Sequence, residues 1–139
     1  MARWRFSVFV TGHDKAVVQD DIDRFSDDGL EAFKVAVTYL ASVDTRHWRE
    51  PTAKKLKGTA NNLHEIRFRA SNRQTRAVGF FGPDADEFTI TMICFHKGTV
   101  YEPSSALDTA EKRRKSFAKG EAKRAPLEFD GEIFPPIPE

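Results

Sequence analysis

Hydrophobic and polar residues alternate at the start of the chain, in the stretch RWRFSVFVT at residues 3–11. Trp4, Phe6, Val8 and Val10 occupy every second position of this stretch. Successive side chains of a β-strand point to opposite faces, so the alternation predicts a strand with one buried face.

Apolar residues at steps of three and four replace the alternation further along and predict two helices. Val18, Ile22 and Phe25 fall on one face of the first helix, which spans about residues 14–25. The second helix covers GLEAFKVAVTYLAS, with an apolar face formed by Leu30, Phe33, Val37 and Leu40. The stretch DDG at residues 27–29 separates the two helices and offers an N-cap to the second.

Three more strands follow a polar connector at residues 44–62, with no helix between them. They are LHEIRFRA (63–70), TRAVGFFG (75–82) and EFTITMICFH (87–96). The links SNRQ and PDAD are typical of turns, which favours an antiparallel meander. The third of these strands is apolar on both faces, which indicates a central strand that is covered from both sides.

A last helix is predicted to begin at Ser104 or Ser105 and to continue to about Lys119, with Asp108 in its first turn. The predicted order is therefore β-α-α-β-β-β-α. This order indicates an α+β fold in which helices pack on a small, mostly antiparallel sheet.

The end of the chain differs from the rest in composition, because residues 125–139 contain four prolines and no basic residue. We expect residues 1–120 to form the domain and residues 121–139 to be an acidic, proline-rich tail. Such a tail is expected to be extended or mobile and to trail in solvent. The alternative is a tail that folds onto a basic face as an intrinsic brake.

The formal net charge of +1 conceals a strong asymmetry along the chain. Residues 1–44 carry five Lys and Arg against eight Asp and Glu, whereas residues 45–124 carry seventeen against nine. Residues 125–139 carry none against four. A basic central part between acidic ends indicates a surface for a polyanion, although charge spread over a solvated exterior explains the same counts.

Several protein classes lack support in the sequence. Cys94 is the single cysteine, so an intramolecular disulfide is excluded and no metal site is expected. Cys94 lies in an apolar strand, and we expect it to be buried rather than nucleophilic. Motifs of the P-loop, G-x-G-x-x-G and G-x-S-x-G types do not occur. With no leader and no apolar run of about 20 residues, we expect a cytoplasmic protein that does not enter a membrane.

Four arginines lie within ten positions of the central strands: Arg67, Arg69, Arg73 and Arg76. Alternation places Glu65 and the first two of these arginines on one face of their strand. A short hairpin would bring Arg76 back towards them from the neighbouring strand. Guanidinium groups on a rigid sheet suit bidentate contacts with phosphates. The alternative is a solvated face on which the arginines pair with Glu65 and other acids.

The apolar third strand ends in a polar stretch, CFHKGTVYEP at residues 94–103. Functional side chains often lie where a buried strand ends. His96 titrates near neutral pH, which makes it a candidate proton donor or acceptor, and a solvated histidine is the alternative. Lys97 follows it, Gly98 turns the chain, and Tyr101 comes next.

Five motifs occur in order along the chain: KKLKG (54–58), LHEIRFR (63–69), Arg76 in TRAVGFF, ITMICFHKGTVYEP (90–103), and Ala110 with Arg113 on the last helix. Together they resemble the RelE/ParE toxin superfamily, and within it the HigB-like, phage-derived killer-protein branch. The resemblance covers about residues 54–115. It implies the toxin of a type II toxin–antitoxin system, a metal-independent endoribonuclease that cleaves mRNA, on the ribosome or free, with no cofactor. It also implies a cognate antitoxin, a helix-turn-helix protein of the HigA type, as partner.

The resemblance assigns roles to individual residues. In such enzymes the 2′-hydroxyl of the substrate attacks the adjacent phosphate, so the protein neutralises charge and moves protons. Arg67 and Arg76 match the family's strand arginines and are expected to bind the phosphate and stabilise the transition state. Lys97 matches the first lysine of the family's Phe-x-Lys-Lys-Thr segment and is expected to contact a phosphate. His96 occupies a variable position there, so its acid–base role rests on its chemistry alone. The remaining candidates for RNA binding are Lys57, Arg69, Arg73 and Tyr101.

Two departures from the family pattern support a second hypothesis. Gly98 stands where the family has a second lysine. The whole chain is also less basic than ribosome-directed toxins usually are. Both features favour a non-catalytic or ParE-like inhibitory binding module on the same scaffold.

Overall fold

A mixed β-sheet forms the centre of the computed structural model, which describes residues 3–136. The strands are β1 (Arg5–Val10), β2 (Ala53–Lys55), β3 (His64–Ala70), β4 (Arg73–Phe81), β5 (Glu87–Lys97), β6 (Val100–Glu102), β7 (Lys123–Pro126), β8 (Glu128–Phe129) and β9 (Glu132–Ile133). The helices are α1 (Val17–Asp23), α2 (Asp27–Ala41) and α3 (Ala106–Ala118), with short 3₁₀ turns at Thr45–His47 and Gly58–Ala60. All the predicted strands and helices are present, so the predicted α+β class is confirmed.

The strands follow one another across the sheet in the order β2-β3-β4-β5-β1-β7, and β6 pairs with the end of β5. β1 runs parallel to β5, whereas the other pairings in this sheet are antiparallel. β8 and β9 form a separate small hairpin. The predicted meander of β3, β4 and β5 is therefore confirmed, as is the central position of β5.

Helices cover both faces of the sheet. α1 and α2 pack on one face, here called the α2 face, where Phe33 and Ile66 are fully buried. α3 packs on the other, the α3 face, where Ala110 joins Val78 and Cys94 in a second buried cluster. α3 covers part of the face that carries Glu65, Arg67 and Arg76.

In the segment where β4 and β5 pair, β5 contains one residue more than β4. Val78 pairs with Met92, but the next residue of β4, Gly79, pairs with Ile90. Thr91 is therefore left without an opposite residue, which is the pattern of a β-bulge.

The bulge changes the face of the sheet to which the side chains of the later β5 residues project. Phe88 packs on the α2 face, yet Cys94, six residues later, packs on the α3 face. Strict alternation would have put both residues on the same face. The bulge thus turns Cys94, and with it His96, towards α3 and the arginines of β3 and β4.

Two local boundaries differ from the predicted ones. Ser26, one residue before the predicted DDG stretch, caps α2, and its hydroxyl accepts a hydrogen bond from the Gly29 backbone N at 3.2 Å. Ser71 and Asn72 form the β3–β4 turn with φ values of 52° and 61°. Two positive φ values suit the two-residue turn of a twisted hairpin. This turn is shorter than predicted, so Arg73 becomes the first residue of β4.

The described part of the tail packs against the sheet, so the expectation of a tail that trails in solvent is wrong for residues 123–136. β7 pairs with β1, and Leu127 and Phe129 are buried in the core. The Phe129 ring meets Phe33 edge-on at 5.8 Å. The side chain of Gln19 in α1 bonds to the backbone of the neighbouring residue 128.

The alternative of an intrinsic brake also fails for this segment, because its buried side chains pack on the α2 face and not over the arginines. The prediction weighed the prolines and acids and overlooked the alternating apolar residues Leu127 and Phe129. The domain division at residue 120 stays a prediction. Residues 137–139 of the predicted tail lie outside the described residues.

Candidate functional site

Arg67 and Arg76 lie directly opposite each other on neighbouring strands, as a cross-strand pair of β3 and β4. On its other side, Arg76 pairs with Cys94 of β5. Cys94 belongs to the cluster on the α3 face, so both arginines project to that face. The sequence predicted that a hairpin would bring these arginines together, and the register has this effect.

A buried carboxylate organises the two arginines. Glu65 is 1% exposed, and its Oε2 accepts a hydrogen bond from Nε of Arg67 at 2.7 Å. Nε of Arg76 lies 3.3 Å from the same oxygen, without hydrogen-bond geometry. The hydroxyl of Tyr101 donates to the other oxygen, Oε1. We call Glu65, Arg67, Arg76, His96 and Tyr101 the Glu65 cluster.

Arg76 is nearly enclosed, with 6% of the residue exposed. Its Nη1 donates to the backbone oxygen of Thr75 at 3.1 Å and lies 3.4 Å from Oε1 of Gln74. Its Nη2 lies 3.4 Å from Nδ1 of His96. Burial lowers the pKa of this guanidinium, and the Glu65 carboxylate acts in the opposite direction. Four groups therefore contact the Arg76 guanidinium: Glu65, Gln74, the Thr75 carbonyl and His96.

His96 lies at the end of β5 and is half-buried. Partial burial and the charge of Arg76 lower its pKa below the ordinary value of 6.5, so the ring is neutral at pH 7. Because Arg76 can only donate, Nδ1 of His96 accepts, and the proton of the neutral ring sits on Nε2. The ring also packs against Tyr101, with 4.8 Å between the centroids. His96 thus offers a hydrogen-bond donor at Nε2.

Tyr101 and Cys94 fit structural roles in the cluster. Burial and the hydrogen bond to Glu65 raise the pKa of the Tyr101 hydroxyl, which therefore keeps its proton at neutral pH. Burial and the Glu65 charge raise the pKa of the Cys94 thiol to about 12. Tyr101 braces Glu65, and Cys94 fills space, as the sequence predicted for the cysteine.

Arg67 is the more accessible guanidinium of the pair, with 23% of its side chain exposed. Its Nη1 lies 3.1 Å from Oε1 of the exposed Glu50, which completes its acidic surroundings. Glu50 was not singled out in the sequence. No signal there connects it with Arg67, because the two meet only through the folding of the connector onto the edge of the sheet.

Two shallow depressions adjoin the Glu65 cluster, one of ≈ 420 Å³ beside His96 and one of ≈ 610 Å³ beside Tyr101. The first of these depressions brings His96 together with two other predicted residues, Arg69 and Lys97. Nη2 of Arg69 donates to the side-chain and backbone oxygens of Asn72 at 3.0 and 3.2 Å. Lys97 is exposed. These two cations are available to a ligand that reaches His96.

Two other predicted residues, Arg73 and Lys57, are less suited to contact a ligand at His96. Arg73 lines the rim of the same depression, but its guanidinium lies over the ring of Phe95 at 3.7 Å and donates to Glu102 at 2.8 Å. Phe95 follows Cys94 in β5 and therefore points to the α2 face. Lys57 lines a different depression, of ≈ 610 Å³, which Tyr101 shares. The four arginines between residues 67 and 76 are thus divided between the two faces of the sheet.

Two searches of the described residues bear on other classes of site. Within residues 3–136, no three His, Cys, Asp or Glu side chains are grouped closely enough to hold a metal ion. No helix in this part of the chain is long and apolar enough to cross a membrane.

Comparison with known proteins places the chain in a family. A family model described as "Phage derived protein Gp49-like (DUF891)" matches residues 20–115. This segment is more than half of the 139 residues and contains every candidate site residue described above. Searches among curated proteins and among solved structures found no match. The chain belongs to the phage-derived Gp49-like family.

Proposed function

We propose that this Gp49-like protein is the toxin of a type II toxin–antitoxin system, a HigB-like member of the RelE/ParE superfamily that cleaves mRNA without a metal ion. The membership of a phage-derived family and the order of the motifs along β3, β4 and β5 support the proposal. Its partners would be mRNA, on the ribosome or free, and a helix-turn-helix antitoxin of the HigA type. A cytoplasmic location belongs to the same proposal.

The observation that carries the proposal is the cross-strand pair of Arg67 and Arg76 around one buried carboxylate, with His96 at 3.4 Å from Arg76. Cleavage by the 2′-hydroxyl of RNA requires positive charge at the phosphate and a hydrogen-bond donor at the leaving oxygen. A rigid sheet holds both in place before the substrate arrives. Preorganisation of this kind is the largest contribution in many enzymes of this chemistry.

In the proposed reaction the 2′-oxygen forms a bond to phosphorus while the bond from phosphorus to the 5′-oxygen breaks. Arg67 contacts the phosphate oxygens, and Arg69 and Lys97 contact flanking phosphates. His96 donates a hydrogen bond from Nε2 to the departing 5′-oxygen. Water accepts the proton of the 2′-hydroxyl and supplies one to the 5′-oxygen. Arg76 contributes its charge from beneath and fixes the tautomer of His96.

The first test compares wild type with Arg67→Ala, and with Arg46→Ala as a matched control. Arg46 is an exposed arginine at a 3₁₀ turn and pairs with Asp44. Expression of the wild type and the control is expected to arrest bacterial growth and to produce new mRNA 5′ ends in primer extension. Arg67→Ala is expected to lower the cleavage rate about 10²–10³-fold, the effect of removing one donor to transition-state charge. Equal cleavage by wild type and Arg67→Ala would contradict the assignment.

A second test addresses the nucleophile and the absence of a metal. A single 2′-deoxy substitution at the cleavage position of an RNA oligonucleotide is expected to abolish cleavage there, whereas the same substitution one position away is not. The rate is expected to be unchanged in a chelator. Cleavage of the deoxy-substituted bond would exclude attack by the 2′-hydroxyl.

A second candidate function is a non-catalytic or ParE-like inhibitory binding module. Two observations favour it: Glu65 and Glu50 neutralise the arginine pair, and Arg76 is almost inaccessible. Gly98 also removes one cation of the family pattern. Growth arrest without RNA cleavage, equally strong in wild type and Arg67→Ala, would establish this function instead.

A further inference from the structure

The position of His96 depends on the bulge at Thr91, five residues before it in the same strand. The bulge is what directs the end of β5 to the α3 face. If Thr91 were accommodated in a regular ladder, His96 would turn to the α2 face and lose Arg76. Whatever stabilises the bulge therefore also decides the surroundings of His96.

Arg113 of α3 holds the bulge from the α3 face. Its Nη1 donates to the backbone oxygen of Thr91 at 2.8 Å and lies 3.6 Å from the sulfur of Met92. The guanidinium lies over the ring of Phe9 in β1 at 4.8 Å. Thr91 has no opposite residue in β4, and Arg113 supplies a side-chain donor to the carbonyl of this bulged residue.

Arg113 has no competing ion pair of its own. Among the described residues, no carboxylate lies within salt-bridge distance of its guanidinium, whereas its neighbour Arg114 pairs with Glu111 on the same helix. Burial lowers the pKa of Arg113. Burial of a guanidinium is costly, and the hydrogen bond to the Thr91 carbonyl, the Phe9 ring and the charge of Asp21 offset this cost.

We propose that Arg113 is a positioning residue for His96, which acts by locking the Thr91 bulge and thereby keeping the His96 ring against Arg76. Arg113 does not touch the candidate site, and its effect travels along β5. The catalytic consequence rests on the proposed function, but the structural effect on His96 does not.

The test is an NMR titration of the His96 ring in the full chain. The charged groups that influence the ring are Arg76, Glu65, Arg67 and Lys54. All four are retained in Arg113→Met, which keeps the length of the side chain and removes its donors. The pKa of His96 is expected to rise towards 6.5 in Arg113→Met, because the ring leaves both its partly buried position and Arg76. Arg114→Met is the matched control on the next residue and is expected to leave the titration unchanged.

Arg113→Lys provides a second variant should Arg113→Met not fold. Lysine keeps a charged donor within reach of the Thr91 carbonyl, so the titration of His96 is expected to lie between those of wild type and Arg113→Met. Faster amide hydrogen exchange at Thr91 and Met92 in Arg113→Lys is the accompanying signature. A merely structural role would lower thermal stability and leave the His96 titration and local exchange of the folded variant unaltered, and this result would overturn the proposal.

Kinetics separate this inference from the proposed function. If both hold, Arg113→Met lowers kcat for RNA cleavage with little change in KM, because the phosphate-binding arginines stay in place. If the chain does not cleave RNA at all, every variant is inactive, yet the His96 titration still shifts with Arg113. If the pKa of His96 shifts in Arg113→Met but kcat does not fall, then Arg113 positions the His96 ring without affecting catalysis.

Discussion

Glu65 and Glu87 are both 1% exposed, and each organises an arginine cluster on the sheet in the same manner. Each carboxylate accepts a hydrogen bond from a hydroxyl, Tyr101 for Glu65 and Ser7 for Glu87. Each also accepts from the Nε of one arginine, at 2.7 Å from Arg67 and at 2.6 Å from Arg124. The local chemistry of the two sites is almost the same.

The two clusters differ in the ratio of acids to guanidinium groups. Around Glu87, Asp84 and Asp86 add two more carboxylates, and together the three acids face two arginines, Arg5 and Arg124. Around Glu65, two arginines share one buried acid, and the exposed Glu50 lies beside Arg67. His96 adds a donor at Nε2. The Glu87 cluster is therefore saturated, with three acids against two arginines, whereas the Glu65 cluster balances two acids with two arginines and offers an anion the Nε2 donor of His96.

The saturated cluster has a clear structural task. Arg124 belongs to β7, so its bond to Glu87 of β5 fastens the chain after α3 to the centre of the sheet. A buried carboxylate that is fully paired supports a fold, whereas one that shares two arginines with an open depression supports a site. The contrast between the clusters, more than the number of arginines, identifies the candidate functional site.

The largest expected effect tests this contrast with reciprocal substitutions. Arg124→Met leaves Glu87 buried with fewer partners and is expected to lower the free energy of unfolding by about 2–3 kcal/mol. RNA cleavage by the folded variant is expected to be unchanged. Arg67→Met is expected to cost a similar amount of stability, because Glu65 loses the hydrogen bond from Nε and keeps only Tyr101 and the charge of Arg76 among the described residues, while cleavage is lost. Urea unfolding and a cleavage assay measure both quantities.

The control for Arg124→Met is Arg5→Met, which removes an exposed arginine paired with the exposed Asp84 and Asp86. Its effect is expected to stay below about 1 kcal/mol. Equal destabilisation by Arg67→Met and Arg124→Met, with no loss of cleavage, would mean that both clusters are structural.

A smaller effect concerns the loss of stability in acid. It separates the contribution of a third group, His64, from those of the two clusters. His64 precedes Glu65 but packs against Trp48 and Phe81 on the other face, and burial lowers its pKa from 6.5 to about 4. The unfolded chain binds this proton below pH 6.5 and the folded chain only near pH 4. Stability is therefore expected to fall as the pH falls from about 6.5 to about 4, by about 1–2 kcal/mol after allowance for solvent screening.

His64→Phe keeps the aromatic contacts and removes the titration, so it is expected to flatten the stability profile in this range. Unfolding midpoints at pH 7 and pH 4.5 measure the difference. A profile of His64→Phe that falls as steeply as that of wild type would assign the acid sensitivity to other groups.

The smallest expected effect separates the arginines that lie on different faces. Arg69→Ala is expected to weaken binding of single-stranded RNA and to reduce the salt slope of binding by about one phosphate contact. Arg73→Ala is expected to leave the slope unchanged, because its guanidinium is held by Phe95 and Glu102. Fluorescence anisotropy over a range of salt concentrations distinguishes the two variants. Equal salt slopes for Arg69→Ala and Arg73→Ala would mean that Arg73 also contacts the RNA.

Most of the fold followed from the sequence because helical and strand periodicities are local. The strands that sequence reasoning missed have two to four residues, which is too few to show a periodicity. β2 consists of three residues in a polar connector and exists only through its pairing with β3. The tail was misjudged because the burial of Leu127 and Phe129 depends on their packing against β1 and α2, which lie far away in the chain.

The candidate site, like the fold, was predicted only in part. The motif Leu63–Arg69 and the position of Arg76 were sufficient to anticipate that Arg67 and Arg76 meet, because a hairpin fixes their register. The burial of Glu65 was not foreseen, although alternation had put it on the face of Arg67. Its burial requires Tyr101 from β6 and the cover that α3 provides, and neither is encoded near Glu65.

By itself, the sequence determined the α+β class, the order of the main elements and the pairing of Arg67 with Arg76, since these depend on spacing along one strand or across one short turn. Only the tertiary structure decided to which face of the sheet each of the other site residues projects. The bulge at Thr91 turned His96 towards Arg76, the two-residue turn sent Arg73 to the opposite face, and β7 fastened the acidic tail to the sheet. A strand repeats every two residues, so a single unpaired residue reverses all that follows, and such a residue is fixed by contacts from distant parts of the chain.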